Sequence, residues 1–463
     1  MPNRYRSRIS RSSRPLRPAP LRAAPPRTRA AGRLKSSSRS TTAAQCHSER
    51  AREEGRLAEL PRGIYWDKGQ TPPRCYAIAI LRADQNATAA GIDKALAALA
   101  GLWNDLRVGG IPTLQGATTP SSSFEWLLGY GRKAFEIAGS KHPVPRKLRP
   151  PNSFNSVDPQ GGGLAIDGSG LKFAEGIAQN LATEQFCVQF TGDTPLSIAR
   201  AIVETSLLLE SMREPVTGKA PLMVSASFTG FNREDRRSWL DFHDGLSNLQ
   251  SGAERRSVIE ARPQGLAKSD KWLAGGTYMA FIRLRIDIRL WRTLTKDMQE
   301  SLVGRTKISG CPVVAIDSAG VVVADPLCPA HGTSEVDAAP DNARFLEPPD
   351  AVDEKSRLSH VQRANHHIVR QRVYRQGYEF FENSALGRPL EVGLNFVSFL
   401  ENPDRLFFML KTETWLGKTN FGGWAGPEIM HVVAGAIFVC PPIVEGEAYP
   451  GASTFSDAGP LIS

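Results

Sequence analysis

The sequence predicts an α+β protein made of two ferredoxin-like units, each a small antiparallel sheet with helices. Three observations carry that prediction. Short strand-like runs alternate with helical runs whose apolar residues recur every three or four positions. The order strand, helix, strand occurs once before about residue 235 and again after it, as duplicated ferredoxin-like units require. Finally, the Gly-rich stretch Gly161-Gly-Gly163 to Gly168-Ser-Gly170 has no strand leading into it and no Lys-Ser/Thr closing it, so a parallel nucleotide-binding fold fits poorly.

Taken in order, residues 1–55 are Arg-, Ser- and Pro-rich with almost no large apolar side chain, and cannot bury enough surface to offset the entropy of ordering. They are read as a disordered tail, compatible with a targeting segment or with a misassigned start codon. Order begins near Leu60, and Cys75–Leu81 is a strand. Ile92, Leu96, Leu99, Leu102, Trp103 and Leu106 then mark one face of a helix. Residues 140–170 read as loop, 171–181 as helix and Phe186–Phe190 as strand. Thr194-Pro195 opens a helix to about Met212, and the alternating run Met223–Phe228 is a half-buried strand that closes the first half, residues 60–235.

The second half, residues 236–463, repeats this grammar. Thr277–Arg285 is a strand, Leu290–Val303 a helix, Gly393–Phe399 a strand, Asp404–Leu416 a helix and Ala436–Cys440 the last strand.

Charge and cysteine content narrow the function classes. The formal charge is +10, yet twelve of the 57 basic residues lie in residues 1–48, where there is no acid. The remainder holds 45 basic and 47 acidic residues, so the folded body has no basic excess to attract nucleic acid. No run approaches the ~18 apolar residues of a membrane span. The six cysteines lack paired spacing, which favours a reducing, cytoplasmic setting. Cys-x-x-Cys-His is absent, which excludes covalent c-type haem, and Cys328-Pro-Ala-His331 lacks a second pair of zinc ligands.

Two stretches hold the candidate chemistry. Trp239-Leu-Asp-Phe-His-Asp-Gly-Leu-Ser-Asn248 crowds acidic and small residues into a loop between the halves, where ligand sites are common. Ser359-His-Val-Gln-Arg-Ala-Asn365 leads into the strand-like, aromatic Val373-Tyr-Arg-Gln-Gly-Tyr-Glu-Phe380. By composition alone the first is an Asp-Gly turn, and His360 and Arg375 are ordinary surface or ion-pairing residues.

Together, these stretches make the sequence resemble the dye-decolourising (DyP-type) haem peroxidases from about Gly63 to Gly451. Asp244-Gly245 matches the end of that family's Gly-x-x-Asp-Gly motif. Gly276-Thr-Tyr-Met-Ala-Phe281, Val303-Gly-Arg305 and Gly393–Phe399 add to the likeness. The resemblance implies a duplicated ferredoxin-like fold of the dimeric α+β barrel kind, with self-association and most haem contacts in the second half. It implies non-covalent haem b, with His360 as proximal iron ligand, Asp244 as distal acid–base residue and Arg375 as distal arginine. Hydrogen peroxide and an organic donor, phenolic or dye-like, are the implied partners, the donor being oxidised in one-electron steps. A haem or porphyrin carrier without efficient peroxidase activity is the alternative. Glu401 and Asp404 are candidate carboxylates for the far nitrogen of His360, and Tyr374, Tyr378, Trp272 or Trp415 for relaying electrons, although aromatic residues at these spacings usually belong to a core.

Two departures stand out. Asp241 occupies the motif's first Gly position, which puts the local turn in doubt and adds a carboxylate expected to raise the pKa of Asp244. Gln376 replaces a second Arg before the Gly-Tyr pair.

Overall fold

Eight strands in the computed structural model, four from each half, carry the apolar alternation that the sequence shows. The structure describes residues 58–67, 69–111, 123–148, 156–157, 166–167, 184–249, 252–331, 349–350, 352–364, 372–382, 390–410, 412, 414 and 421–456. The tail 1–55, the helix expected at 171–181, the Gly-rich 161–170 stretch except Ile166 and Asp167, and Trp415 lie outside them.

In the first half, β1 (Cys75–Ala83), β2 (Glu125–Tyr130), β3 (Phe186–Gly192) and β4 (Leu222–Phe231) pair antiparallel in the order β2-β3-β1-β4. In the second, β5 (Thr277–Ile286), β6 (Tyr374–Glu382), β7 (Glu391–Leu400) and β8 (Met430–Cys440) pair as β6-β7-β5-β8. Each half therefore has the same order of first, second, third and fourth strand, which is the expected ferredoxin-like pattern. The two sheets close into one barrel through single residue pairs, Val439 with Tyr130 and Glu379 with Phe231.

Strand alternation divides the core. Tyr76, Ile78, Ile80, Phe281, Tyr374, Tyr378 and Phe399 fill the barrel interior, while Ala77, Ala79, Leu81, Val188 and Phe190 face outward under helices. Those helices are α1 (Ala89–Arg107) and α2 (Pro195–Ser211), N-capped by the hydroxyls of Thr88 and Thr194, with Pro195 in the first turn. Trp103 of α1 is fully buried and donates its indole N–H to Thr205 of α2 at 2.9 Å.

The second half has shorter helices. After α3 (Gly252–Ile259), the helix expected at Leu290–Val303 is two helices, α4 (Ile288–Thr293) and α5 (Lys296–Val303). Leu294 is extended, and the Thr295 hydroxyl caps the N–H of Met298, so a new helix starts where apolar spacing suggested continuity. α6 (His360–Ala364) and α7 (Asp404–Leu410) complete the set. β2 is a strand not singled out from the sequence.

The expectation of reduced cysteines is corrected by a Cys311–Cys328 disulfide, a bond type that persists in oxidising settings, and the cytoplasmic reading loses that support. Spacing hid this pair because 17 residues separate the two, and a hairpin of Val313–Ile316 with Val322–Ala324 brings them together. Cys75, Cys187 and Cys440 are buried thiols. No helix among the described residues is long and apolar enough to cross a membrane.

Candidate functional site

The loop that carries Asp244 is a small hairpin. The Ser238 N–H donates to Phe242 O at 2.9 Å, Arg237 bridges to His243, and the Asp244 N–H donates to Arg236 O at 3.0 Å. Its tip is Asp241 at φ +66°, so the position where the motif has Gly does demand a left-handed backbone, and Asp is among the few residues that adopt it readily. The expectation that Asp241 raises the pKa of Asp244 is not met. The Asp241 carboxylate lies 3.5 Å from Arg233 and is itself mostly exposed.

Asp244 is drawn the other way. Burial pushes its carboxyl upward, but the charge and hydrogen bond of Arg375, the Gly245 N–H and the nearby His360 together bring it below its ordinary value. Arg375 Nη2 donates to Asp244 Oδ1 at 3.0 Å, with the Asp244 side chain 39% exposed where it opens onto a cavity. Asn248 holds the arginine's backbone from the Asp244 side, donating from Nδ2 to Arg375 O at 2.8 Å. Gly377 permits a close approach, since a Cβ there would stand 3.0 Å from Asp244 Oδ2 and 3.2 Å from Leu394 Cδ1, and these side chains would have to give way by a few tenths of an ångström.

His360 opens α6 and is fixed from three directions. The Asp353 carboxylate accepts the N–H of Ser356 at 2.7 Å and of Ile316 at 2.8 Å, which ties the preceding turn to the hairpin after α5. The Thr414 hydroxyl donates to Leu358 O at 2.6 Å. Gly304 ends α5 in the left-handed region (φ +87°), and a Cβ there would fall 2.3 Å from Ser359 Oγ, so only glycine lets α5 and the His360 turn meet. The His360 ring lies 5.0 Å from that of Phe421.

All three residues expected from the sequence line one cavity. It lies on the outer face of the second sheet, walled by Leu284, Ile286, Leu394, Phe396, Phe242 and Met409. Arg305 and Arg372 add two more cations, both bound to Ser247. Glu401 and Asp404 do not line it. Glu401 is bonded instead to Arg405 at 3.0 Å, and Asp404 to Asn402 at 3.3 Å.

Sequence reasoning missed Glu379. It is 5% exposed and accepts the Trp239 N–H at 3.1 Å, and burial with the neighbouring Asp244 charge pushes it up to about 8, against the Trp239 N–H and Arg233. The signal was present in β6, where residues 375, 377 and 379 share one face.

The donor set fits haem. Among the described residues no three His, Cys, Asp or Glu side chains gather to hold a bare metal ion. A single imidazole ligand suits an iron whose other ligands come from a macrocycle, and His360 and His243 are the two imidazoles on the wall. The wall offers an apolar bed, and Arg305 and Arg372 suit the macrocycle's carboxylates.

Residues 235–445 match the family model described as Dyp-type peroxidase, C-terminal. The fold is similar to a DyP-type peroxidase from Cellulomonas bogoriensis, with 18% identity, TM-score 0.62, and 86% of this chain and 98% of that one covered. It is also similar to ferric DtpA from Streptomyces lividans (18% identity, TM-score 0.57, 84% and 95% covered) and to a DyP-type peroxidase from Streptomyces coelicolor (19%, 0.57, 86% and 98%). Residues 235–445 are thus similar to the C-terminal domain of Dyp-type peroxidases, and the chain has the fold of these enzymes.

Proposed function

We propose that the chain is a haem b peroxidase that reduces hydrogen peroxide and oxidises phenolic or dye-like donors in one-electron steps. The observation that carries this reading is the ionised Asp244 bonded to Arg375 at 3.0 Å on the cavity that His360 also lines.

When bound, non-covalent haem b supplies the electrons that break the O–O bond and recovers them singly from the donor. The neutral imidazole of His360 would hold its iron. Asp244, kept ionised by Arg375, accepts a proton from one peroxide oxygen and returns it to the other, a transfer that needs a base within hydrogen-bond reach. The Arg375 guanidinium stays protonated and stabilises the negative charge developing on the leaving oxygen. On the cavity side Leu284, Ile286, Leu394 and Phe396 present apolar surface to this charge, which strengthens both effects there. The altered motif does not favour the carrier alternative, because Asp241 adopts the turn its position requires.

The test is stopped-flow absorption of the haem-reconstituted protein on mixing with one equivalent of peroxide. Asp244→Ala should keep haem and slow the peroxide reaction by about 10²- to 10⁴-fold. His360→Ala should lose haem on gel filtration. Wild-type haem content and peroxide reactivity in both variants would overturn the reading.

A further inference from the structure

Of the two carboxyl groups on the described cavity wall, Asp244 and Glu379, the reading above uses only the first. Glu379 lies where the two sheets meet, paired with Phe231 of β4 and Leu394 of β7. Two bonds fasten the Asp244 hairpin here: the Trp239 N–H to Glu379 Oε2 at 3.1 Å, and the Trp239 indole N–H to Phe380 O at 2.9 Å. Glu379 also lines a second, outer groove, which includes Tyr65, Arg74, Asn232, Arg233 and Arg236. Ser238, Asp244, Arg375 and Glu379 border both spaces, so Glu379 stands in the wall between them.

Reducing peroxide fully to two waters consumes two electrons and two protons. The donor supplies the electrons, while the protons must come from the outer groove, which borders both Glu379 and Asp244. We propose that Glu379 is the positioning residue that carries those protons from the outer groove to Asp244, a role that rests on the peroxidase reading above. Each passage moves one proton from groove water to Glu379, then to Asp244, and leaves Glu379 to be reprotonated from the groove.

The charges around it suit this task. Asp244 and Arg233 face it from the hairpin, which also places His243 on the same cavity wall, while Phe231 and Leu394 opposite carry no titratable group. With its carboxyl pushed up to about 8, Glu379 holds a proton at neutral pH beside an ionised Asp244. Because each carboxylate disfavours ionisation of the other, protonating Asp244 makes the Glu379 proton easier to release.

The experiment pairs infrared titration of the full-length protein, with and without reconstituted haem, with steady-state donor oxidation across pH. Wild type should show a carboxylic acid band that titrates near pH 8. Glu379→Gln should remove the band, and Asp244→Asn should move its midpoint downward. With haem, Glu379→Gln should lower donor turnover at least about tenfold and enlarge its solvent deuterium effect, with Glu379→Asp recovering part of the rate. Absence of that band, or wild-type turnover and isotope effect in Glu379→Gln, would overturn the proposal. The infrared titration does not depend on turnover, so protein inert toward peroxide with the band present would count against the peroxidase reading and not against this proton site.

Discussion

The two halves share a strand order but use the outer face of their sheets differently. In the first half that face is roofed by two long helices of 19 and 17 residues, and residues such as Leu81, Val188 and Phe190 disappear beneath them. In the second half the helices have 6, 8, 5 and 7 residues after α3, and the equivalent face, at Leu284, Ile286, Leu394 and Phe396, lines the cavity. Caps make the difference. Thr88 and Thr194 each start one uninterrupted helix, whereas Asp287, Thr295 and Gly304 start and stop helices within 18 residues. A sheet face becomes core or binding site according to whether the sequence above it lets a helix run on.

The comparison can be broken most forcefully at Trp103. Trp103→Ala removes a fully buried indole and the partner of Thr205, and should cost about 3–5 kcal/mol in urea unfolding, while haem bound per folded chain stays constant. Haem loss without loss of stability would show that the first half is more than a roofed support. His360→Ala is the mirror case, with haem lost and unfolding of the haem-free chain little changed.

A smaller effect is expected where the second sheet touches the chemistry. Gly377→Ala places a methyl 3.0 Å from Asp244 Oδ2, so the carboxylate must move relative to Arg375. Peroxide reactivity should fall by about 10- to 100-fold, for a stability loss of about 1 kcal/mol. An unchanged rate would mean that the Asp244–Arg375 bond tolerates displacement and is not what positions the base.

The contrast between the halves also marks what the sequence reveals. The first-half helices were legible because Ile92, Leu96, Leu99 and Trp103 keep one face over about three turns, and the motif residues Asp244, His360 and Arg375 were legible as a resemblance. The helix break at Leu294 was hidden, since its apolar side chain continues the spacing and only the Thr295 cap betrays it. Glu379 was hidden because burial, and not residue type, gives a carboxyl its altered pKa. The Cys311–Cys328 bond was hidden because a hairpin sets its geometry, and it packs against Leu246, two residues past Asp244.

The smallest expected effect tests the one departure inside the motif. Asp241→Gly relieves a left-handed backbone, which costs an ordinary residue about 1–2 kcal/mol and Asp less. Against this, glycine adds about 0.5–1 kcal/mol of unfolded-chain entropy, and the variant loses an exposed pair with Arg233 worth less than about 1 kcal/mol. These contributions nearly cancel, so stability should change by less than about 1 kcal/mol and peroxide reactivity by less than about twofold. Arg233 also donates to Ser238 O at 3.2 Å, so it stays on the hairpin without Asp241. A loss above about 2 kcal/mol in Asp241→Gly would mean that the Asp241 carboxylate, and not the backbone of the turn, fastens the hairpin, and that Asp here replaces the glycine's freedom with a bond of its own.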